Sequence, residues 1–251
     1  MATEQTQPSK NSITKSRFDD HFSRKFFHML SGTVLVYFYL EIFSRKQSVT
    51  YILVGTFLAV FFELLRVSWP RLNRLILSIF GPLMRENEAE SPSALLFYIL
   101  GLLWAFLVLP KILAVQAVLT LAWMDPIAGI CGVRFGRKTW NRVFSGFVPE
   151  ERRIPAALGA KTVEGSFAGF LASVFAGLVA WTGPWAQVLG PDGIWAAPDL
   201  KTVALFSLVG ALIATIAEAW PSQWDDNAKI PFWTGTILFI MALLMGVPVG
   251  F

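Results

Sequence analysis

The sequence predicts an all-α, polytopic membrane protein, and three observations support this fold class. Hydrophobic residues make up 55% of the 251-residue chain, charged residues only 15%, and the mean hydropathy is +0.56. Soluble domains are less apolar and more charged than this. Apolar runs long enough to cross roughly 30 Å of hydrocarbon as helices recur along the chain. The alternating polarity that indicates a membrane barrel is missing, so helices must satisfy the backbone.

About seven apolar segments are long enough to be transmembrane helices, each having roughly 17 residues or more. Their approximate ranges are 26–43, 49–65, 93–109, 112–130, 163–182, 201–219 and 231–250.

The segment before the first span is polar and mixed in charge, without the pattern of a cleaved signal peptide. We therefore expect residues 1–22 to form a disordered cytoplasmic tail and residues 23–251 to form one membrane domain. The single cysteine, Cys131, excludes an intramolecular disulfide.

The distribution of basic residues predicts the orientation of the chain. With seven spans, 17 of the 21 Lys and Arg residues fall on the side of the amino terminus and 4 on the other side. The positive-inside rule therefore places the amino terminus in the cytoplasm. Topology and contact with anionic membrane lipids explain this basic excess, and we expect no nucleic acid partner. Both a monomer and a homo-oligomer remain open.

Ionisable groups inside or at the ends of membrane spans are costly, so they are candidates for function. In this chain they gather at the predicted cytoplasmic ends of the spans, where soluble anionic metabolites and Mg²⁺ are available. The carboxylates and amide that show this pattern are Glu63, Asp125, Glu164, Glu218, Asp225, Asp226 and Asn227.

The stretch WMDPIAGICGVRFGRK, residues 123–138, combines an intramembrane Asp with glycines and basic residues. Pro126 cannot donate a helix hydrogen bond, so Asp125 is expected at a bend facing a wet cavity. The glycines allow close approach either of another helix, which is the more frequent cause of such spacing, or of a phosphate. These candidate phosphate-binding positions are Gly129, Gly132 and Gly136, together with the basic residues Arg134, Arg137 and Lys138.

A second polar stretch, GAKTVEGSFAGF over residues 159–170, opens the fifth predicted span. The free N–H groups at such a helix end attract anions, and Lys161, Thr162 and Gly165 suit a phosphate there. Glu164 has two interpretations that the sequence favours equally: a first-turn carboxylate stabilised by the helix dipole, or a ligand of metal or water. The spacing is not that of a Walker A loop.

The loop before the last span contains Asp225, Asp226 and Asn227. Asp and Asn are common turn formers between helices, but adjacent carboxylates also suit Mg²⁺. The presence of Asp125 on the same predicted side favours the metal interpretation. His28, one turn inside the first span, is by itself more typical of a hydrogen-bonded interface residue than of a base.

Together these stretches resemble the polyprenol kinase family, the integral membrane CTP-dependent lipid kinases that include dolichol, phytol and farnesol kinases and the yeast-type diacylglycerol kinase. The resemblance rests on RKFFHMLSG at 24–32, DPIAGICGVRFGRK at 125–138, KTVEGSFAG at 161–169 and EAWPSQWDDN at 218–227. CDP-diacylglycerol synthases are similar around Asp125 and the Lys-Thr-x-Glu-Gly run, but their carboxyl-terminal Lys-Asp and His-Gly-Gly signature is missing. Met124 departs from the Gly that family members commonly have there.

The resemblance implies a membrane kinase domain over residues 23–251, with its active site on the cytoplasmic side. Its reaction would be transfer of the γ-phosphoryl group of CTP to the hydroxyl of a polyprenol, dolichol or related lipid alcohol, with Mg²⁺ as cofactor. A cytidylyltransferase like CDP-diacylglycerol synthase is the alternative activity. A membrane transporter is the non-enzymatic alternative.

The resemblance also implies roles for particular residues. Asp125, Lys161 and Glu164 would be catalytic, Asp125 with Asp225 or Asp226 would bind the metal, and Lys25 and His28 would lie near the lipid head. The expected nucleotide-binding residues are Gly129, Gly132, Arg134, Gly136, Lys138, Thr162, Gly165 and Asn227.

Overall fold

The structure is a computed structural model of the chain. It describes residues 10–81, 84, 88, 91–140, 161–182, 199–220, 222, 224–247 and 249, with only the backbone described for residues 10–21. Every regular element within these ranges is a helix, and an isolated bridge joins Thr139 to Thr162. The prediction of an all-α membrane bundle is confirmed.

The helices are numbered here in chain order, and α1 continues into a π-helical turn over Phe38–Ile42. They are α1 (Lys10–Tyr37), α2 (Arg45–Ser68), α3 (Pro70–Phe80), α4 (Ala94–Val108), α5 (Lys111–Phe135), α6 (Val163–Thr182), α7 (Leu200–Ala219) and α8 (Asp226–Met245).

Among the described residues, five helices are long and apolar enough to cross a membrane: α2, α5, α6, α7 and α8. The other two predicted spans fall on α4, an apolar helix of 15 residues, and on the end of α1 with its π-helical turn. The described part of the chain therefore agrees with a polytopic bundle. Within that part, five helices rather than seven have both the length and the hydropathy of a membrane span.

Helix α5 forms the centre of the bundle, packed against α1, α4, α6, α7 and α8. In its most apolar window 78% of the residues are buried, whereas the corresponding value for α2 is 11%. The difference means that α2 presents its side chains to lipid, while α5 is surrounded by protein. Gln116 on α5 is buried and satisfied, because its Nε2 donates to the Phe206 carbonyl at 2.9 Å and Trp181 donates to its Oε1 at 2.6 Å.

Small residues allow α5 and α6 to approach closely, as is common between membrane helices. A Cβ atom on Gly165 would lie 2.6 Å from the Ala128 carbonyl oxygen and 2.9 Å from the Gly132 Cα. A Cβ atom on Gly169 would lie 2.9 Å from the Ala128 Cβ. This close packing places the start of α6 directly beside the last turns of α5.

Two helical segments lie outside the predicted spans. Helix α1 begins at Lys10 and so extends into the range 1–22. The division into a tail and a kinase domain stays a prediction. Helix α3 was not predicted; it buries no residue and carries Arg71 and Arg74 beside exposed Leu75 and Ile79, the pattern of a helix along a membrane surface.

We predict that Gly165→Ala destabilises the protein, because the added methyl group would be forced against the backbone of α5. Overpacking of this kind costs about 1–3 kcal/mol. The thermal midpoint of the detergent-solubilised protein without nucleotide measures the effect. Gly55→Ala is the matched control, since a Cβ atom there has nothing within 4 Å. An unchanged midpoint for Gly165→Ala would contradict the close packing of α5 and α6.

Candidate active site

An ion pair joins the first and fifth helices. The Nζ of Lys25 on α1 lies 2.6 Å from Oδ2 of Asp125 on α5, and it also donates to the Asp125 backbone carbonyl at 3.3 Å. The two side chains are 11% and 18% exposed. A buried carboxylate requires such a partner, because an unpaired charge is very costly in a medium of low dielectric constant. The family resemblance placed Lys25 near the lipid head and Asp125 at the metal, and the structure brings the two side chains into direct contact.

A second charged cluster joins the segment before α6 to the ends of α7 and α8. We call Lys161, Glu218, Asp226 and Lys229 the Lys161–Asp226 network. The Nζ of Lys161 lies 2.6 Å from Oδ2 of Asp226 and 3.5 Å from Oε1 of Glu218, and it also donates to the Glu218 backbone carbonyl. The Nζ of Lys229 lies 2.9 Å from Oδ1 of Asp226.

Lys161 is cationic throughout the physiological pH range. Burial by itself would lower the pKa of Lys161, but the charges of Asp226 and Glu218 outweigh burial and raise this pKa above its ordinary value. The positive charge is therefore held in place by these two carboxylates.

Lys229 within this network and Ser166 beside it were not predicted from the sequence. Ser166 on α6 donates from Oγ to Oε2 of Glu218 at 2.7 Å and accepts from Trp140 Nε1 at 2.8 Å. Lys229, 4% exposed, donates to the Trp220 carbonyl at 3.1 Å. The only sequence signal for Lys229 was its place one turn after Asp226, and Ser166 stands one residue after the selected Gly165.

The ion pair and the network belong to one electrostatic environment. Asp125 interacts electrostatically with Lys161 and with Asp226. It also interacts with Glu218. Helices α1, α5, α7 and α8 and the segment before α6 thus bring three lysines and three carboxylates from distant parts of the sequence to one end of the bundle.

Asp225 and Asn227 have structural contacts beside this cluster. Asp225 is the N-cap of α8, and its Oδ1 accepts from the Asn227 amide at 3.0 Å. Asn227 is 7% exposed, and its Nδ2 donates to the Ala94 carbonyl at 3.2 Å, which ties α8 to α4. Asp225 and Asn227 therefore shape the turn, whereas Asp226 faces the lysines, and the metal interpretation of this loop stays a prediction.

The predicted phosphate-binding residues at the start of α6 are engaged with the protein itself. Thr162 accepts from the Gly165 amide at 3.1 Å and so caps the helix, while the Val163 amide donates to the Lys138 carbonyl at 2.9 Å. Oε2 of Glu164 accepts from the amides of Arg137 and Lys138 at 3.0 and 3.3 Å. Glu164 therefore holds the segment that follows α5.

The glycines and the basic side chains of the first motif lie at different depths. Gly132 and Gly165 are taken up by the packing of α5 against α6, and Gly136 lies against Thr162. Gly129 is half-buried on α5. Arg134, Arg137 and Lys138 are exposed and form a basic rim beside the cluster.

Glu63 on α2 was among the candidate carboxylates, and it makes a different set of contacts. It pairs with Arg66 at 2.5 Å and accepts from the Ser93 amide at 2.9 Å. Arg66, 2% exposed, also donates to Asn73 Oδ1 at 2.9 Å and to the Ser91 carbonyl at 2.7 Å. These bonds fasten α3 and the start of α4 to α2.

The donor set does not form a protein-built metal cage. No group of three or more His, Cys, Asp or Glu side chains suited to a metal ion occurs among the residues that the structure describes. Mg²⁺ commonly needs only one or two carboxylates when a nucleotide supplies phosphate oxygens and water completes the shell. Asp125 and Asp226 fit this second kind of site.

Comparison with known proteins identifies relatives of this chain. CTP-dependent diacylglycerol kinase 1 of Schizosaccharomyces pombe is 30% identical over 201 residues, which cover 79% of this chain and 83% of the relative. CTP-dependent diacylglycerol kinase 1 of Saccharomyces cerevisiae is 29% identical over 215 residues, covering 83% of this chain and 69% of the yeast protein. The counterpart in Eremothecium gossypii is 27% identical over 214 residues, covering 83% and 63%.

The chain belongs to the CTP-dependent lipid kinase family. No family model matches the chain, and no solved structure matches it. As a CTP-dependent lipid kinase with helices apolar enough to cross a membrane, it is an integral membrane enzyme. The family expectation is thereby confirmed at the level of a lipid kinase that uses CTP. The expected polyprenol or dolichol substrate finds no support among these relatives, which are named diacylglycerol kinases.

For this lipid kinase we predict that Asp226→Asn lowers stability strongly. The substitution leaves Lys161 and Lys229 buried without the carboxylate that both contact, and breaking a buried pair in this way costs about 3–5 kcal/mol. The thermal midpoint in detergent reports the change. Asp199→Asn is the matched control, because Asp199 is an exposed N-cap of α7 and Asn caps helices as well as Asp does. Equal midpoints for the two variants would contradict the role of the network.

Proposed function

We propose that this kinase transfers the γ-phosphoryl group of CTP to the hydroxyl of a membrane lipid alcohol, with diacylglycerol as the foremost substrate. The printed names of its relatives support diacylglycerol. The isoprenoid alcohols expected from the family resemblance, polyprenol and dolichol, are the second class of substrate. Both classes share a hydroxyl at the membrane interface and an apolar body in the bilayer.

One observation carries the proposal: Asp125, Lys161 and Asp226, which are far apart in the sequence, share one electrostatic environment at one end of a membrane bundle. Phosphoryl transfer depends chiefly on positioning the reactants and neutralising charge. A site with lysines and aspartates at the membrane boundary offers both functions to a soluble triphosphate and a lipid hydroxyl.

The lysines are the groups that would hold the phosphates. Lys161 is fixed and cationic, and Lys25 is held beside Asp125 at 2.6 Å. On the exposed rim, Arg134 and Lys138 would meet the incoming nucleotide first. We assign a supporting role to Thr162, Gly165 and the glycines of α5, because they allow the backbones of α5 and α6 to approach each other. We assign to Asn227 the role of holding α8 against α4.

The carboxylates are the groups that would hold Mg²⁺. Asp125 and Asp226 are each paired with a lysine, and a Mg²⁺–triphosphate complex offers a cation to each carboxylate and anionic oxygens to each ammonium group. Bound Mg²⁺ would neutralise the charge that builds up on the phosphate oxygens. Asp225 precedes Asp226 in the chain and would support this metal site. Glu164 would act indirectly, by holding the backbone of Arg137 and Lys138.

The cytoplasmic location of this site is likewise part of the proposal. The site lies at the ends of α5, α7 and α8 that the distribution of basic residues assigns to the cytoplasm. CTP is a cytoplasmic metabolite, and its triphosphate cannot enter the hydrocarbon core.

The activity test uses purified wild-type protein in detergent micelles with CTP, Mg²⁺ and a panel of diacylglycerol, dolichol, a short polyprenol, phytol and farnesol. We expect a lipid monophosphate and CDP, formed fastest with diacylglycerol. In a parallel reaction with phosphatidic acid in place of the alcohol, formation of pyrophosphate and a CDP-lipid would instead show a cytidylyltransferase. Absence of every one of these products would contradict the proposed function.

We predict that Asp125→Asn lowers the rate of lipid monophosphate formation by on the order of 100- to 1,000-fold, because one charge that organises the site is removed. Some stability should also be lost, because the buried Lys25 loses the charge of its partner, although the side-chain oxygen of Asn can still accept a hydrogen bond from Lys25. The assay above and the thermal midpoint measure these two outcomes. Asp199→Asn serves as the control for the same chemical change on the surface, and near-normal activity of Asp125→Asn would remove the assignment.

A further inference from the structure

Two buried polar atoms without a hydrogen-bond partner belong to side chains that pack against each other, His28 and Tyr98. The imidazole of His28 on α1 packs against the phenol of Tyr98 on α4, with ring centroids 4.7 Å apart and planes tilted by 58°. Nε2 of His28 and Oη of Tyr98 are both buried, and neither has a hydrogen-bond partner among the described residues. Leaving a buried donor or acceptor unpaired costs about 1–3 kcal/mol. These two unpaired atoms therefore indicate a binding site for a polar group of a ligand.

The surroundings of Tyr98 do not satisfy its hydroxyl. The side chain is 6% exposed. Ser31 on α1 interacts with Tyr98, but the Ser31 hydroxyl donates to the His28 carbonyl at 3.1 Å. No atom of the described residues has hydrogen-bond geometry with Oη of Tyr98. Close approach is possible because Gly32 has no side chain, and a Cβ atom there would lie 3.0 Å from Oη.

The surroundings of His28 favour a lone pair on Nε2. The backbone carbonyl of Leu121 on α5 interacts with the imidazole. Because Nε2 has no hydrogen-bond partner, the nitrogen that contacts this carbonyl is Nδ1. A hydrogen on Nδ1 leaves Nε2 as an acceptor in the neutral ring. Nε2 can therefore accept a hydrogen bond, while the Tyr98 hydroxyl can donate one.

The pair lies beside the proposed phosphoryl-transfer site. His28 follows Lys25 by three residues, so the two side chains share one face of α1. The imidazole interacts electrostatically with Asp125 on α5 and with Asp225 at the start of α8. Other buried polar atoms without partners occur in the described residues, such as Oη of Tyr39, but Tyr39 stacks on Phe106 and lies beneath Lys111 at the opposite end of α5.

We propose that Nε2 of His28 and Oη of Tyr98 bind the hydroxyl group of the lipid substrate. This inference rests on the proposed function and adds Tyr98 to the residues that touch the substrate. The lipid hydroxyl donates to Nε2 and accepts from Oη. An alcohol has one donor and two acceptor lone pairs, so it matches both groups and retains a lone pair for attack.

The reaction step then balances as follows. The lipid oxygen forms a bond to the γ-phosphorus of CTP, and the bond from this phosphorus to the β,γ-bridging oxygen breaks, so CDP leaves with the electron pair. The O–H bond of the lipid breaks, and its proton passes to Nε2 of His28. General bases positioned in this way contribute about 100- to 10,000-fold to rates.

The test measures kcat and KM for diacylglycerol and for CTP with three purified variants. Tyr98→Phe should raise the KM for diacylglycerol about 10-fold, which corresponds to one hydrogen bond of about 1.4 kcal/mol, and leave the KM for CTP unchanged. His28→Gln keeps an amide that can bind a hydroxyl but cannot take its proton, so kcat should fall about 100-fold. Tyr39→Phe is the matched control and should behave as wild type.

The possible results separate this inference from the proposed function. Wild-type protein that forms no lipid monophosphate from CTP would overturn both. Active wild-type protein, with Tyr98→Phe and His28→Gln matching Tyr39→Phe, would overturn this inference and keep the function. If His28→Gln lowers the thermal midpoint, Tyr98→Phe decides the question, because it removes one oxygen atom and keeps the ring. An equal rise in the KM for CTP would also overturn the assignment, since it would indicate a general distortion.

Discussion

Charge pairing in a medium of low dielectric constant is the constraint on which the described structure depends. Lys161 cannot be buried without Asp226 and Glu218, and Asp125 cannot be buried without Lys25. Buried ion pairs add little net stability, because desolvation offsets much of their attraction. Their main effect is to specify which helix ends must meet. These pairs join residues that are 57 to 100 positions apart in the sequence.

Close packing of backbones makes this meeting of charges possible. Gly165 and Gly132 allow α6 to approach α5, and this approach brings Lys161 to the ends of α7 and α8. Phosphate binding was the other interpretation of these glycines. The geometry shows the packing that was the more frequent cause expected for Gly132, and a phosphate beside Gly132 or Gly165 stays a proposal. Thr162 was likewise a candidate phosphate-binding residue, and in the structure its hydroxyl caps α6 and so shapes the backbone of the site.

The sequence predicted the all-α membrane fold and the principal charged residues because both follow from local chemistry. Apolar length indicates a span, and an intramembrane carboxylate such as Asp125 is too costly to be retained without a purpose. Helix α3 was missed because its 11 residues are too short and too polar for a span. Lys229 and Ser166 were missed because a single Lys or Ser near a helix end is common, and only their partners distinguish them.

The sequence by itself determined the class of protein, its family and the inventory of lysines and aspartates, since composition, hydropathy and motifs are properties of short segments. The tertiary structure decided which of these residues share an environment. It paired Lys25 with Asp125, turned Glu164 toward the backbone of the segment after α5, and set His28 against Tyr98. The physical reason is that contacts between helices depend on how whole helices cross and rotate, and no single helix encodes this arrangement.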